Sequence, residues 1–428
     1  MQIAPEARAG RQSVAAPERL FAVYQRTRAR TLALAAPLSA EDCVVQSMPD
    51  ASPVKWHLAH TSWFFESFVL EPALPGFAPY REAFRVLFNS YYVALGPRHP
   101  RPERGLLSRP SLDEVLAYRA SVDERMQALF ARYPEQTARL ADMIELGVNH
   151  EQQHQELILT DVKHALSRNP LLPAYQAARA HCGGAPAPLG WSALPDGVRQ
   201  IGHSGEGFSF DNERPRHRVF LAGFEIAERL ATNAEYRAFM ADGGYRRPEL
   251  WLAEGWDLRS AQGWEAPLYW LARDGGWSQF TLEGARALEP DEPVTHVSYY
   301  EADAYARWCG ARLPTEAEWE TVAAAREPTG NFLDSGRLHP APPGPGAGGQ
   351  FYGDAWEWTS SAYAPYPGFR APGGAVGEYN GKFMVNQYVL RGGSCATPSS
   401  HIRASYRNFF PAAARWQFSG VRLARDAS

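Results

Sequence analysis

The feature that most limits how this chain can fold is a change of pattern part-way along it. Up to about Ser167 apolar side chains recur at helical spacing. Residues 169–195 are then rich in Pro, Gly and Ala, with Asn-Pro-Leu-Leu-Pro followed by Gly-Gly-Ala-Pro-Ala-Pro, and beyond them short β-like pieces are scattered among Gly-, Pro- and Trp-rich loops. Helical and strand periodicities bury different faces, so the two halves build separate cores. We therefore expect two domains: a helical one over 1–168 and an irregular α+β one over 196–428, joined by the linker 169–195. A chain of 428 residues fits that number at roughly 150 residues per domain.

In the first domain the pattern predicts four helices. The first spans Pro17 to Ala35. The second begins near Ser52-Pro53, Ser as cap and Pro in the first turn, and carries Trp56, His60, Trp63, Phe64 and Phe68. The third opens on the capping box Ser111-Leu-Asp-Glu114, and the fourth runs from about Glu135 to Ser167. Four amphipathic helices make a bundle. The connection from Glu71 to Pro110 is long for such a fold, and its aromatic and Arg content argues for an ordered, functional loop. In the second domain, capping boxes at Thr232, Ser298 and Thr315 announce three short helices, and Arg216–Leu221, Tyr388–Arg391 and Gly420–Leu423 read as strands.

Composition removes several function classes. The net charge is −4 and no long Lys/Arg run occurs, which excludes a nucleic-acid or anionic-membrane partner. No apolar stretch approaches the ~20 residues a spanning helix needs. Met1 to Gln12 carries two Arg and no apolar core, unlike a secretory leader. The four cysteines, at 43, 182, 309 and 395, form no CxxC pair and fit reduced thiols in a cytoplasmic protein.

The chemistry concentrates in His150-Glu-Gln-Gln-His154 on the fourth helix. Residues four apart share a helix face, so both imidazoles can address one metal ion. The string also satisfies HExxH, in which Glu151 would be a protease's general base. A metzincin's third His would fall on Thr160, and no Glu occupies the Pro-rich region where a gluzincin places its carboxylate. His57 and His60 on the second helix offer a third imidazole from within the bundle. Three His ligands leave open positions, as a catalytic site needs, and suit Fe(II), Zn, Cu or Ni. Tyr91-Tyr92 could supply a phenol proton near such a metal. Tyr406-Arg-Asn408-Phe409-Phe410 and Arg415-Trp-Gln-Phe418 mix rings with amide and guanidinium groups, as a packed core edge or a pocket for an organic cation bearing a carboxylate would.

Taken together these strings resemble a known family. The first domain resembles a DinB-like four-helix bundle with three metal-binding His. The second resembles the formylglycine-generating-enzyme/sulfatase-modifying-factor fold, a C-type-lectin-like α+β domain, through Arg312-Leu-Pro-Thr-Glu-Ala-Glu-Trp-Glu320, Gly353-Asp-Ala-Trp-Glu-Trp-Thr359, Arg391-Gly-Gly-Ser394 and Phe418-Ser-Gly-Val-Arg422. Fused in this order they resemble the ergothioneine-pathway sulfoxide synthases. The resemblance implies Fe(II) as cofactor and O2 as co-substrate, joining a thiol, cysteine or γ-glutamylcysteine, to C2 of the hercynine (Nα-trimethylhistidine) imidazole as a sulfoxide. It implies iron ligation by His60, His150 and His154, a Gln153 contact to the hercynine imidazole, and an Asn408 contact to that substrate's ammonium and carboxylate end, with Phe409 and Phe410 at positions where the family varies. It places Tyr91-Tyr92 with the tandem tyrosines of the cysteine-using branch, and the absence of an acid after Asn408 departs from the γ-glutamylcysteine branch. Arg101 and Arg415 are the candidates for the donor's carboxylate, because Arg offers a bidentate fork.

The nearest rival is selenoneine synthesis, in which a selenosugar replaces the thiol on the same hercynine site. A metal-dependent thiol transferase, a binding protein with structural His and the HExxH protease are more distant alternatives. Sulfatase maturation, which needs a pair of nearby reactive cysteines, does not fit the single Cys395.

Overall fold

The computed structural model describes residues 17–179, 188–273, 275–342 and 349–427. Met1 to Gln12 and Cys182 lie outside the described residues, as do residues 180–187 of the expected linker; Cys43, Cys309 and Cys395 are free thiols. No described helix is long and apolar enough to cross a membrane.

Four long helices form the first region: α1 (Pro17–Ala35), α2 (Val54–Phe65), α3 (Leu112–Arg132) and α4 (Ala141–Ser167). The capping box at the start of α3 forms in full, Ser111 and Glu114 each receiving the other's backbone N–H. Ser52 does not cap α2. Its N–H goes to Asp161 at 2.8 Å and its hydroxyl receives Arg104 at 2.9 Å, so Pro53 stands at the helix start without a side-chain cap. The fourth helix is also shorter than expected: a separate turn, Pro134–Arg139, precedes it, broken at Leu140. The long connection after α2 is ordered by short helical turns, Phe84–Leu87, Val93–Leu95 and Arg101–Leu106. Trp63, Phe65, Val122, Met126, Ile144 and Ile158 fill the bundle core.

The second region is sheet-rich. β1 (Trp191–Leu194), β4 (Phe224–Ala227) and β12 (Ala424–Asp426) form one antiparallel sheet, while β2 (Gly197–Ile201) and β3 (His217–Leu221) form a hairpin. β5 (Trp270–Arg273), β6 (Gly276–Thr281) and β7 (Gly284–Ala287) form a meander. A four-stranded sheet has the order β10-β9-β8-β11, from β8 (Trp356–Ala362), β9 (Tyr388–Arg391), β10 (Asn408–Phe410) and β11 (Ser419–Gly420). The strand expected over Gly420–Leu423 is instead a crossing: the chain leaves β11 at Gly420 and joins the first sheet at Ala424. Arg422 in that crossing is fully buried against Glu357 at 2.5 and 2.8 Å. The three predicted helix starts, at Thr232, Ser298 and Thr315, all carry complete capping boxes. The expected linker does not run free, since the Tyr175 hydroxyl donates to Leu34 O at 2.7 Å and the Tyr175 N–H to Leu282 O at 2.8 Å.

Candidate metal centre

α2 and α4 pack side by side and bring three imidazoles together. One ring nitrogen each of His60, His150 and His154 lies within 4.8 Å of the others, and the three residues are buried. The hydrogen bonds settle which lone pairs face the centre. His60 Nδ1 lies 2.6 Å from Phe88 O, and a carbonyl only accepts, so Nδ1 carries the proton and Nε2 keeps its lone pair. Asp161 accepts from His57 Nε2 at 3.1 Å, so His57 Nδ1 receives the His154 Nδ1 proton at 2.8 Å and frees His154 Nε2. His60 Nε2 and both His150 ring nitrogens are buried with no hydrogen-bond partner among the described residues. Burial holds His60 and His154 well below the usual imidazole range and His150 at about 3, so all three are neutral donors. Orphaned, converging, neutral imidazole nitrogens fit a divalent transition metal.

The ring environment is set by helical spacing. Trp56 and Trp63, at i−4 and i+3 from His60, stack on it at 4.5 and 5.5 Å. Phe64 backs His150 at 4.8 Å. His57 stands outside the three-imidazole cluster and fixes the His154 tautomer, relayed from Asp161. Asp161→Asn is expected to lower metal affinity 10–100-fold while the far-UV circular dichroism stays unchanged, as read by competition with a chelator.

Glu151 lies on another face of α4. Arg28 contacts it at 3.0 Å, Arg119 contacts it closely, and it is fully buried. Burial alone would raise its pKa, but Arg119 and Arg28 together bring it down to about 2. A carboxylate so neutralised, and turned to α1 and α3, is not the general base of the HExxH reading.

The next residues of α4 form the seam to the second region. Asn149 bonds His401 at 3.0 Å and Gln152 donates to Ser400 at 2.8 Å. Glu156 accepts from Trp356 at 2.8 Å, Ser394 at 2.5 Å and Thr397 at 2.7 Å. Gln153 is held between two phenols: its amide donates to the Tyr406 hydroxyl at 2.8 Å and its carbonyl oxygen accepts from Tyr379. The Tyr379 ring lies 5.7 Å from His150 and 6.0 Å from Tyr91. Tyr92, 4.7 Å from Tyr91, is fully buried 5.6 Å from Trp63, and its hydroxyl has no partner among the described residues. Glu378 accepts from the N–H groups of Val93 and Ala94 at 3.0 and 2.9 Å, and Lys382 donates to Tyr91 O, which pins the tyrosine loop to the second region.

The remaining expected site residues divide. Arg101 donates to Asp50 O and, with Tyr91, Arg98, Arg104 and Phe383, lines a cavity of about 490 Å³. Asn408, Phe409 and Phe410 are half-buried on β10; Phe409 stacks on Tyr363 at 4.0 Å, and the Asn408 side chain accepts the Phe409 N–H at 2.9 Å. Arg415 is not brought to the imidazoles. Its guanidinium is neutralised by Glu301 at 2.7 Å, lies 4.2 Å over Trp264 and donates to Ala266 O. Sequence reasoning missed Tyr379, which sits in a Gly-rich stretch without periodicity. It also missed Asp161, whose spacing of two turns from His154 was legible.

Comparison with known proteins follows this division. The DinB superfamily matches residues 24–158, and the sulfatase-modifying factor enzyme 1-like domain matches 189–344 and 348–427. The hercynine oxygenase of Mycobacterium tuberculosis is 36% identical, covering 96% of this chain and 99% of its own length. That of Mycolicibacterium smegmatis is also 36% identical, over 89% of this chain and 92% of its own. The formylglycine-generating enzyme of Streptomyces coelicolor is 34% identical over 59% of this chain and 95% of its own length. With its two domains in this order and its similarity running nearly end to end, the chain belongs to the ergothioneine-pathway sulfoxide synthase family, the hercynine oxygenases.

Proposed function

We propose that the protein is an iron- and O2-dependent hercynine oxygenase that couples C2 of the hercynine imidazole to a thiol. The observation that carries this reading is the convergence of three neutral imidazoles, those of His60 and His150 with nitrogens unpartnered among the described residues, under a cover from the second domain. The balanced reaction takes one C–H, one S–H and O2 to a C–S bond, a sulfoxide oxygen and one water. Bound through His60, His150 and His154, Fe(II) would supply open positions for O2 and thiolate and the means of electron transfer between them.

The chain's own residues orient, protonate and exclude water. Gln153, already bonding two phenols, presents its amide to the hercynine imidazole by exchanging one of those bonds. Tyr91, Tyr92 and Tyr379 are all held protonated, burial pushing each phenol above its usual range, and so act as acids rather than bases. Tyr379, whose ring lies 5.7 Å from His150, and Tyr92, whose hydroxyl is unpartnered among the described residues, are the candidate proton donors.

The donor enters beside Tyr91. Arg98, Arg101 and Arg104 line the cavity there. Arg104 is buried, stacks 3.4 Å over Trp56 and bonds only the Ser52 and Ser90 hydroxyls, with no carboxylate partner among the described residues. Three guanidiniums with no ion pair among the described residues support a donor bearing a carboxylate, and so cysteine or γ-glutamylcysteine over a neutral selenosugar. Arg101→Ala is expected to raise the thiol's KM about tenfold, with kcat and the hercynine KM within about twofold. The deciding experiment is anaerobic Fe(II) loading, then hercynine, ¹⁸O2 and each donor in turn, followed by mass spectrometry. A thiol–hercynine sulfoxide carrying one ¹⁸O supports the proposal. A selenium adduct with inert thiols moves the protein to the sister activity, and no adduct from any donor removes both.

A further inference from the structure

Asn149 and Gln153 lie one turn apart on α4, each immediately before a His of the cluster, and His401 and Tyr406 of the second region join them by hydrogen bonds. A side-chain amide has the same shape either way round, so only its partners decide which atom faces which neighbour. Here one end of the chain is anchored to the backbone. Asn149 donates through Nδ2 to Glu145 O at 2.9 Å, and a carbonyl only accepts, so Oδ1 is the atom turned to His401.

Every later bond follows from that anchor. His401 Nδ1, 3.0 Å from the Asn149 oxygen, carries its proton. The ring is buried, and burial holds it well below the usual imidazole range, so it is neutral and Nε2 keeps a lone pair. That lone pair receives the Tyr406 hydroxyl at 3.0 Å, which uses the only proton Tyr406 has. The Tyr406 oxygen can then only accept. Gln153 must therefore turn Nε2 to Tyr406, at 2.8 Å, and Oε1 to Tyr379, which donates to it. From Tyr379 to the Glu145 carbonyl the bonds run head to tail in one direction.

The orientation matters because Tyr379 is the phenol whose ring lies 5.7 Å from His150. On that side Gln153 offers a carbonyl oxygen, which asks for an N–H. A neutral imidazole that gives its one N–H to Gln153 has a bare lone pair on its other nitrogen, the form a metal takes. An amide turned the other way would offer NH2 and select the opposite tautomer. We propose that His401 is a positioning residue: anchored by Asn149, it turns the Gln153 amide through Tyr406 so that the carbonyl oxygen receives the substrate's imidazole N–H. This deepens the hercynine reading and rests on it.

The test is anaerobic calorimetry of the full-length protein, loaded with Fe(II) and without thiol, using hercynine on wild type, His401→Leu and His401→Gln. Gln keeps an acceptor for the Tyr406 hydroxyl, whereas Leu frees the Tyr406 proton to donate to Gln153 Oε1 and turn the amide over. His401→Leu is expected to weaken hercynine about tenfold at unchanged metal content, and His401→Gln to stay within about threefold of wild type. Nitrogen-15 NMR of histidine-labelled protein gives a readout apart from binding: the ring signal lost in His401→Gln should be that of a neutral imidazole protonated at Nδ1. Hercynine bound equally by all three overturns the positioning role and leaves the proposed function standing. Equal weakening in both folded variants does the same, since it marks His401 as packing alone. A His401 ring protonated at Nε2 reverses the chain and also overturns the inference. No hercynine bound by wild type overturns the proposed function and the positioning role with it. If His401→Leu does not fold, Tyr406→Phe, which removes the same hydroxyl and keeps the ring, should show the tenfold loss, and unchanged binding there overturns the inference.

Discussion

His150→Leu is expected to give a folded protein that neither retains a divalent metal nor turns over. The His150 ring makes no hydrogen bond, and both nitrogens are buried without partners among the described residues. Such atoms cost about 1–3 kcal/mol each, while a Leu in the same space keeps contact with Phe64. The metal-free variant should therefore be as stable as metal-free wild type, or more stable by about 1 kcal/mol. Metal changes the comparison, because a ligand that binds only the folded state stabilises it by mass action. Adding Fe(II) or Mn(II) anaerobically should raise the Tm of wild type and leave that of the variant unmoved, with activity lower by at least about a thousandfold. Stoichiometric metal retained by His150→Leu would remove His150 from the ligand set.

Glu151→Gln should behave in the opposite way, losing fold rather than chemistry. It removes the carboxylate that pairs with both Arg28 and Arg119, and leaves the fully buried Arg119 with no ion pair among the described residues. Breaking a buried pair from one side costs about 3–5 kcal/mol, and two guanidiniums here lose the same partner. Whatever fraction folds should keep its activity per bound metal. Loss of turnover with unchanged stability would instead restore the general-base role of HExxH. Glu151→Leu combined with Arg119→Leu should recover part of the lost stability, because that double change leaves no orphaned charge. The pH dependence follows from the same pair. The Glu151 carboxyl is held near 2 against an ordinary 4.5, so its contribution is complete above about pH 4.5 and is lost as the pH falls toward 2. Urea midpoints should accordingly fall over that acid interval in wild type and less steeply in the variant.

The helices and their caps were legible because their causes are local. α1 spans Pro17–Ala35 as its apolar spacing predicts, and four Ser or Thr residues three positions before a Glu each form a complete capping box. Ser52 shows the limit, since the same residue type next to Pro looked like a cap but was drawn off by Asp161 across the bundle. His150 and His154 could be paired from spacing alone, whereas choosing His60 over His57 needed the family resemblance. In the structure His60 lies in the cluster with His150 and His154, and His57 stands between His154 and Asp161. Arg415 illustrates the opposite error. Guanidinium next to aromatics suggested a ligand, and only the fold reveals Glu301 as its partner. Tyr379 lies in a loop, where no periodicity marks a residue and position depends on contacts made from far along the chain.

The seam along α4 has a consequence for how firmly the two regions are joined. One helix carries His150 and His154 of the imidazole cluster and, on neighbouring positions, the polar groups that hold the second region down. Swinging that region away as a rigid lid would strip Glu156 of three donors at once, together with the bonds of Asn149, Gln152 and Gln153. The clasp over the tyrosine loop is far lighter, with one partly exposed Glu378 and one Lys382. Of the two contacts between the regions, the seam is therefore the costlier to break, and the clasp, with its half-exposed Glu378–Lys382 ion pair, is the one that added salt weakens.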